Sequence, residues 1–212
     1  PIFADQAGAV SIDLPFAALA TAALAALLAW RDERRWVFLL LSAGLAGSAC
    51  GVRHTGYIVC ALLLPGVLFG PVRPRAGAAA LFAGVAGLCA APWLLRSGLL
   101  TGNPFFPLLS GLFPSGVIEH IPVGALAAHE SVARGGGTGI VRFLRFPYDI
   151  IMRPNQYDGW SKSPGGMLLA LGVPGLFVGG PRIRRLGAYS VAGGIAFFFF
   201  QRLPRYLLPF FI

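Results

Sequence analysis

Four arginines of this sequence stand at the ends of long apolar runs. They are Arg53, Arg96, Arg202 and Arg205. A guanidinium group forms paired hydrogen bonds with phosphate oxygens and keeps its charge when it is partly removed from water. Because a cation at membrane depth is costly without a partner or a wet cavity, four such groups together favour a phosphate or diphosphate carried by a lipid. The simpler interpretation is that each arginine extends separately to the lipid headgroups.

Uncharged polar residues beside these arginines complete the candidate binding set. They are His54, Asn103, Gln201 and Tyr206. Asp13 opens the first apolar run and supplies a carboxylate that can act as a general base or hold an acceptor. Since Pro15 follows two residues later, capping of a helix is the competing role for Asp13.

The composition indicates how these residues are positioned. Hydrophobic residues make up 56% of the 212 residues, charged residues only 12%, and the mean hydropathy is +0.73. Such a chain is far more apolar than a soluble domain, so we predict a protein that crosses the membrane several times. The net charge of +9 does not indicate nucleic-acid binding, because the arginines form short clusters between apolar runs.

The apolar runs predict an all-α, polytopic transmembrane helix bundle formed by a single domain. The expected spans cover about 14–30, 36–51, 57–70, 76–95, 167–180, 186–200 and 206–212, the last one cut short. Thr101-Gly102-Asn103-Pro104 should end the fourth helix, and the polar region 97–166 should form a loop. Within this loop, 140–152 has the pattern of a helix in the membrane interface, bent or broken at Pro147.

The arginine clusters predict the orientation of the spans. Eight arginines fall in three short loops on one side: Arg31, Arg34, Arg35, Arg73, Arg75, Arg182, Arg184 and Arg185. By the positive-inside rule this side is cytoplasmic. The 97–166 loop, Asp13 and all the candidate binding residues therefore belong to the extracytoplasmic face of a plasma (inner) membrane.

The three cysteines do not indicate a metal site or a disulfide framework. Cys50, Cys60 and Cys89 all lie within apolar runs, without paired spacing and without nearby histidine clusters. We therefore interpret them as small packing residues. The sequence identifies no cofactor and leaves open whether a divalent cation takes part.

Several motifs resemble one branch of the GT-C superfamily of membrane glycosyltransferases, related to protein O-mannosyltransferases and bacterial aminoarabinose transferases (glycosyltransferase family 39-like). The D-L-P at 13–15 is similar to an acidic motif of that branch, and R-H-T-G at 53–56 is similar to its K-Y-T-G segment. P-W at 92–93 with T-G-N-P-F-F-P at 101–107 resembles its P-W … T-G-N-P-x-x-P segment. Q-R-L-P-R-Y-L-L-P at 201–209 resembles its Q-x-x-R-Y-L-L-P ending, and the motifs occur in the same order.

The resemblance implies an enzyme that transfers a sugar, with inversion, from a polyprenyl-phosphate donor to an acceptor on the outer face. Asp13 would be the second acidic motif at the catalytic cavity, and Arg53 and Arg205 would lie near the donor phosphate. The chain departs from the family in having Arg53 in place of lysine and His54 in place of an aromatic residue. The region of the first acidic motif is absent from this sequence, so we expect a fragment that is inactive alone.

Two other functions remain open at this point. A multi-pass transporter should carry ionisable residues near the bilayer midplane, and no acidic residue interrupts a predicted span. The other is a non-catalytic scaffold or lipid-binding membrane subunit, and a second outward carboxylate upstream of this sequence would argue against it. The sequence does not identify the sugar, the acceptor or the polyprenyl length.

Overall fold

In the computed structural model, the described residues are 13–72, 74–106, 112–113, 140–153, 174 and 177–200. Every extended regular element in these ranges is an α-helix, so the all-α prediction is confirmed for this part of the chain. The helices are α1 (Asp13–Glu33), α2 (Trp36–Val52), α3 (Gly56–Leu68), α4 (Arg75–Thr101), α5 (Ile140–Met152) and α6 (Pro181–Phe200).

The chain divides into two compact units. One comprises Pro15–Pro122 and holds nearly all of α1 together with α2, α3 and α4. The other comprises Pro1–Leu14 and Val123–Ile212 and holds α5 and α6. The predicted spans 36–51 and 57–70 match α2 and α3 closely.

The fourth helix is longer than predicted. It passes through Pro92 and Arg96 and ends at Thr101, six residues beyond the expected end near Leu95. Gly102 ends it in the left-handed conformation, with φ 73°, and its N–H donates to the Gly98 carbonyl at 2.9 Å. The predicted stop at the T-G-N-P segment is therefore confirmed.

The later helices agree with the sequence in part. α5 covers the predicted 140–152 and continues across Pro147 without ending there. α6 begins at Pro181, so the basic cluster expected in a loop forms the first turns of the helix. Proline is favoured in the first turn because its missing N–H would have no partner there. The segment 206–212 and most of 167–180 lie outside the described residues.

Small residues mediate the contacts between α2 and the helices around it. Apart from Leu39 and Phe82, the buried residues of α2 and α4 are alanine, glycine, serine and cysteine. A Cβ atom added to Gly47 would lie 2.8 Å from the Cα of Ala86, so α2 and α4 meet backbone to backbone. The Ser42 hydroxyl donates to the Ala23 carbonyl at 2.8 Å and joins α2 to α1.

Contacts at the other end of the unit set the direction of α1. A Cβ added to Gly70, just after α3, would lie 2.6 Å from Cζ3 of the buried Trp30 indole. Arg31 donates from Nη1 to the Gly66 carbonyl at 2.6 Å. A Cβ added to Gly66 would lie 2.8 Å from Cδ2 of Leu27, so the contacts advance along both helices together. The helices α1 and α3 therefore run in the same direction here, opposite to α2.

Large apolar side chains lie on the outside of the same unit. Leu88 and Leu99 of α4 are 75% and 87% exposed, and Val37 and Leu41 of α2 are also exposed. Among the described residues, α4 is the one helix both long and apolar enough to cross a membrane. The apolar helices α2 and α3 are shorter, with 17 and 13 residues.

Candidate functional site

A tight turn joins α2 to α3 and carries the first predicted binding residues. Arg53 ends α2 in an extended conformation, and its N–H donates to the Ala49 carbonyl at 3.0 Å. The Arg53 carbonyl accepts the Gly56 N–H at 2.9 Å, which closes the turn. Because so few residues connect the two helices, Arg53 and His54 are held at this end of the unit, which we call the Arg53 end.

Trp93 brings the second predicted arginine to the same end. The indole ring of Trp93, on α4, packs directly against Gly51 in the last turn of α2. The guanidinium carbon of Arg96 lies 5.8 Å from the centroid of the Trp93 ring, within the range of a cation–π contact. Arg53 and Arg96 therefore belong to one end of the unit although 43 positions separate them in the sequence.

The T-G-N-P segment closes over the start of α3. The Phe105 ring meets the Tyr57 ring edge to face, with centroids 5.8 Å apart. Asn103 is fully buried, and its Oδ1 accepts the Phe105 N–H at 2.9 Å. The Ser97 hydroxyl donates to the Asn103 carbonyl at 2.8 Å. In this arrangement Asn103 shapes the turn that positions Phe105, while its predicted role in ligand binding stays a prediction.

The surroundings of His54 favour its neutral form. Burial lowers the pKa of its imidazole below the ordinary 6.5, and the positive charge of Arg53 lowers this pKa further. His54 is therefore neutral at neutral pH and can both donate and accept a hydrogen bond. At neutral pH the positive charge at this end therefore comes from the guanidinium groups rather than from His54.

The structure adds Thr55 to the candidate residues. This residue is buried, and among the described residues its hydroxyl has no hydrogen-bond partner, not even as a cap of α3. A buried hydroxyl without a partner is costly, so it can serve a water or a ligand at the Arg53 end. The T of R-H-T-G was visible in the sequence, but threonine before glycine is common in turns and gave no signal of its own.

Other predicted residues cannot be placed in this site. Gln201, Arg202, Arg205 and Tyr206 lie outside the described residues. Asp13 is the first residue of α1, and its side chain also lies outside them. Pro15, two residues later, is at the Arg53 end, because α1 and α2 run in opposite directions past the Ser42–Ala23 contact.

The described part of the site brings cationic and aromatic side chains to one end of the unit. It combines two guanidinium groups and a neutral imidazole with the aromatic faces of Tyr57, Trp93 and Phe105. Within the described ranges, no three side chains of His, Cys, Asp or Glu are grouped so that they could hold a metal ion. Comparison with protein families, curated proteins and solved structures finds no match to this chain.

Proposed function

We propose that the protein is a membrane glycosyltransferase that moves a sugar from a polyprenyl-phosphate-linked donor to an acceptor on the extracytoplasmic face. The observation that carries this proposal is the packing of Trp93 against Gly51, which joins Arg96 to the turn of Arg53 and His54. Two guanidinium groups at one end of the unit suit a phosphate, and aromatic rings at the same end suit the first isoprene units. Separate support comes from the GT-C-like motifs, which occur in the same order as in that family.

The packing of α1 to α4 supports a polytopic membrane bundle. Helices associate in lipid through small residues that let their backbones approach, while large apolar residues face the acyl chains. The Gly47–Ala86 contact and the exposed Leu88 and Leu99 follow this pattern. We place the clusters around Arg34 and Arg184 in the cytoplasm and the Arg53 end in the outer leaflet, with α5 in the interface.

The chemistry assigns separate tasks to the carboxylate and to the guanidinium groups. Asp13 would accept the proton of the acceptor hydroxyl as that oxygen attacks the anomeric carbon of the sugar. The bond from this carbon to the phosphate oxygen then breaks, and polyprenyl phosphate leaves with the electron pair. Arg53 and Arg96 would stabilise the charge that grows on the phosphate, and the GT-C resemblance assigns the same task to Arg205.

The test is sugar transfer by the full-length protein in proteoliposomes that contain polyprenyl-phosphate sugars. We expect Arg53→Ala and Arg96→Ala to lower kcat/KM at least tenfold each, because each variant removes a cation from the phosphate. Arg75→Ala is the matched control: Arg75 is exposed at the opposite end of α4, about 30 Å from Arg96 by the helical rise. Full activity of both variants, or an equal loss in the control, would reject the proposal.

A transporter or a lipid-binding subunit is supported by no specific contact. The helices α2, α3 and α4 carry no acidic residue with which to bind a coupling ion. The Asp13→Asn variant distinguishes a transferase from a subunit that only binds lipid. In a transferase it should abolish sugar transfer while the protein still binds the donor.

A further inference from the structure

Two of the three cysteines, predicted to be simple packing residues, face each other across the hairpin of α2 and α3. The Sγ atoms of Cys50 and Cys60 are 3.8 Å apart, and both thiols are free. Cys50 lies in the last turn of α2, and Cys60 lies about one turn into α3. The third cysteine, Cys89, lies on α4 with its Sγ 4.0 Å from a Cβ added to Gly44. Gly44 is six residues, or about 9 Å, from Cys50 along α2.

Gly56 explains why the two thiols meet. A Cβ added to this glycine would lie 2.6 Å from the Cα of Cys50, so the start of α3 rests directly on the backbone of α2. Cys60 follows Gly56 by four residues and therefore lies on the same face of α3. The Arg53–Thr55 turn fixes this register, because the Gly56 and Ile58 N–H groups donate to the Arg53 and Thr55 carbonyls.

We propose that Cys50 and Cys60 form a disulfide bond that ties α2 to α3 directly beneath the Arg53 turn. The two Sγ atoms are already 3.8 Å apart, and rotation about the two Cα–Cβ bonds can bring them to the bonding distance of about 2 Å. The outward placement of this end, which belongs to the proposed function, would put the pair on the oxidising side of the membrane. The bond itself depends only on the contact between the two thiols.

The oxidant is a disulfide-bearing exchange partner or a small azo-type thiol oxidant. Cys60 is the more exposed of the two, so its thiolate attacks the oxidant's disulfide and forms a mixed disulfide, releasing one oxidant thiolate. The Cys50 thiolate then attacks Sγ of Cys60 and releases the second one. The pair loses two electrons and two protons, and a disulfide oxidant is reduced to two thiols. With an azo oxidant such as diamide, the Cys60 thiolate instead adds to the N=N bond, and attack of Cys50 on Sγ of Cys60 releases the reduced oxidant as a hydrazine.

The experiment treats membranes that contain the full-length protein with diamide, then denatures the protein and labels its free thiols with a maleimide polymer. We expect two fewer labels per chain after diamide than before, with full recovery after dithiothreitol. Cys89→Ser should lose the same two labels, whereas Cys50→Ser and Cys60→Ser should lose none. Trypsin cleavage after Arg53 should leave the peptides 36–53 and 54–75 joined through these cysteines.

Unchanged labelling after diamide, or a joined peptide that contains Cys89, would overturn the proposal. The result is independent of sugar transfer, because the labels are counted without donor or acceptor. A protein that forms the disulfide but transfers no sugar would refute the proposed function and leave the thiol pair standing.

Discussion

Arg53 and His54 are adjacent in sequence but differ in charge at neutral pH. The guanidinium of Arg53 carries the charge, and its presence lowers the pKa of the His54 imidazole in addition to the effect of burial. The charge of the neighbouring Arg53 is visible in the sequence, but the burial of His54, which is the larger cause, depends on the turn that joins α2 to α3. The sequence identified the two residues as candidates, and the structure supplies the burial.

The lowered pKa of His54 predicts how the stability of the protein depends on pH. The folded protein binds a proton at His54 less readily than the unfolded chain does. The contribution of neutral His54 to stability is therefore complete above pH 6.5 and is lost as the pH falls through the lowered pKa. His54→Gln keeps a hydrogen-bonding side chain but removes this titration. Between pH 7.5 and 5.5, the melting temperature of the natural protein should fall more than that of the variant. Equal decreases in the two proteins would contradict the assignment.

At the scale of the helices, the apolar runs predicted the helices α1 to α4 within the described ranges but placed some helix ends wrongly. Gly102 could be predicted to end α4, because a glycine before Asn103-Pro104 readily takes the left-handed conformation that the structure shows. The predicted end near Leu95 was too early, since Arg96 remains within the helix with its guanidinium over Trp93. Likewise, the first turns of α6 contain Arg182, Arg184 and Arg185, which were expected in a loop. Arginine is a good helix former, so a cluster of charges marks the end of an apolar run without marking the end of a helix.

The pairing of elements could not be predicted from spacing. Cys50 and Cys60 are ten positions apart in two different runs, and their contact requires the register in which Gly56 meets the α2 backbone. The contact of Trp93 with Gly51 is of the same kind. In both cases a glycine allows an approach that the composition of the run does not reveal.

Close approach of α2 and α4 at Gly47 gives a prediction at this scale. Gly47→Leu would force a side chain into the Ala86 backbone, and overpacking of this kind costs about 1–3 kcal/mol. Gly87→Leu on α4 is the matched control, because a Cβ at Gly87 meets no atom within 4 Å. In detergent, thermal unfolding should show a clear loss of stability for the first variant and little change for the second. Similar melting curves for both variants would show that the two helices do not meet there.

The proposal for the whole molecule depends on its orientation in the membrane. Exposed positions suitable for labelling are Glu33 at the end of α1 and Leu112 beyond α4. In a background in which the natural cysteines are replaced by alanine, a membrane-impermeant maleimide added to intact cells should label Leu112→Cys. It should label Glu33→Cys only after the membrane is permeabilised. The reverse pattern would place the Arg53 end in the cytoplasm and remove the polyprenyl-phosphate donor from its reach.

The site itself is tested most directly by a photoreactive polyprenyl-phosphate probe, cross-linked to the full-length protein in membranes and located by peptide mass spectrometry. The two-arginine arrangement predicts adducts within 53–57 and 93–106, competed by unlabelled polyprenyl phosphate and reduced at least tenfold by Arg53→Ala with Arg96→Ala, but not by Arg75→Ala. Adducts confined to the opposite end of α4, or adducts insensitive to both the competitor and the double substitution, would contradict it.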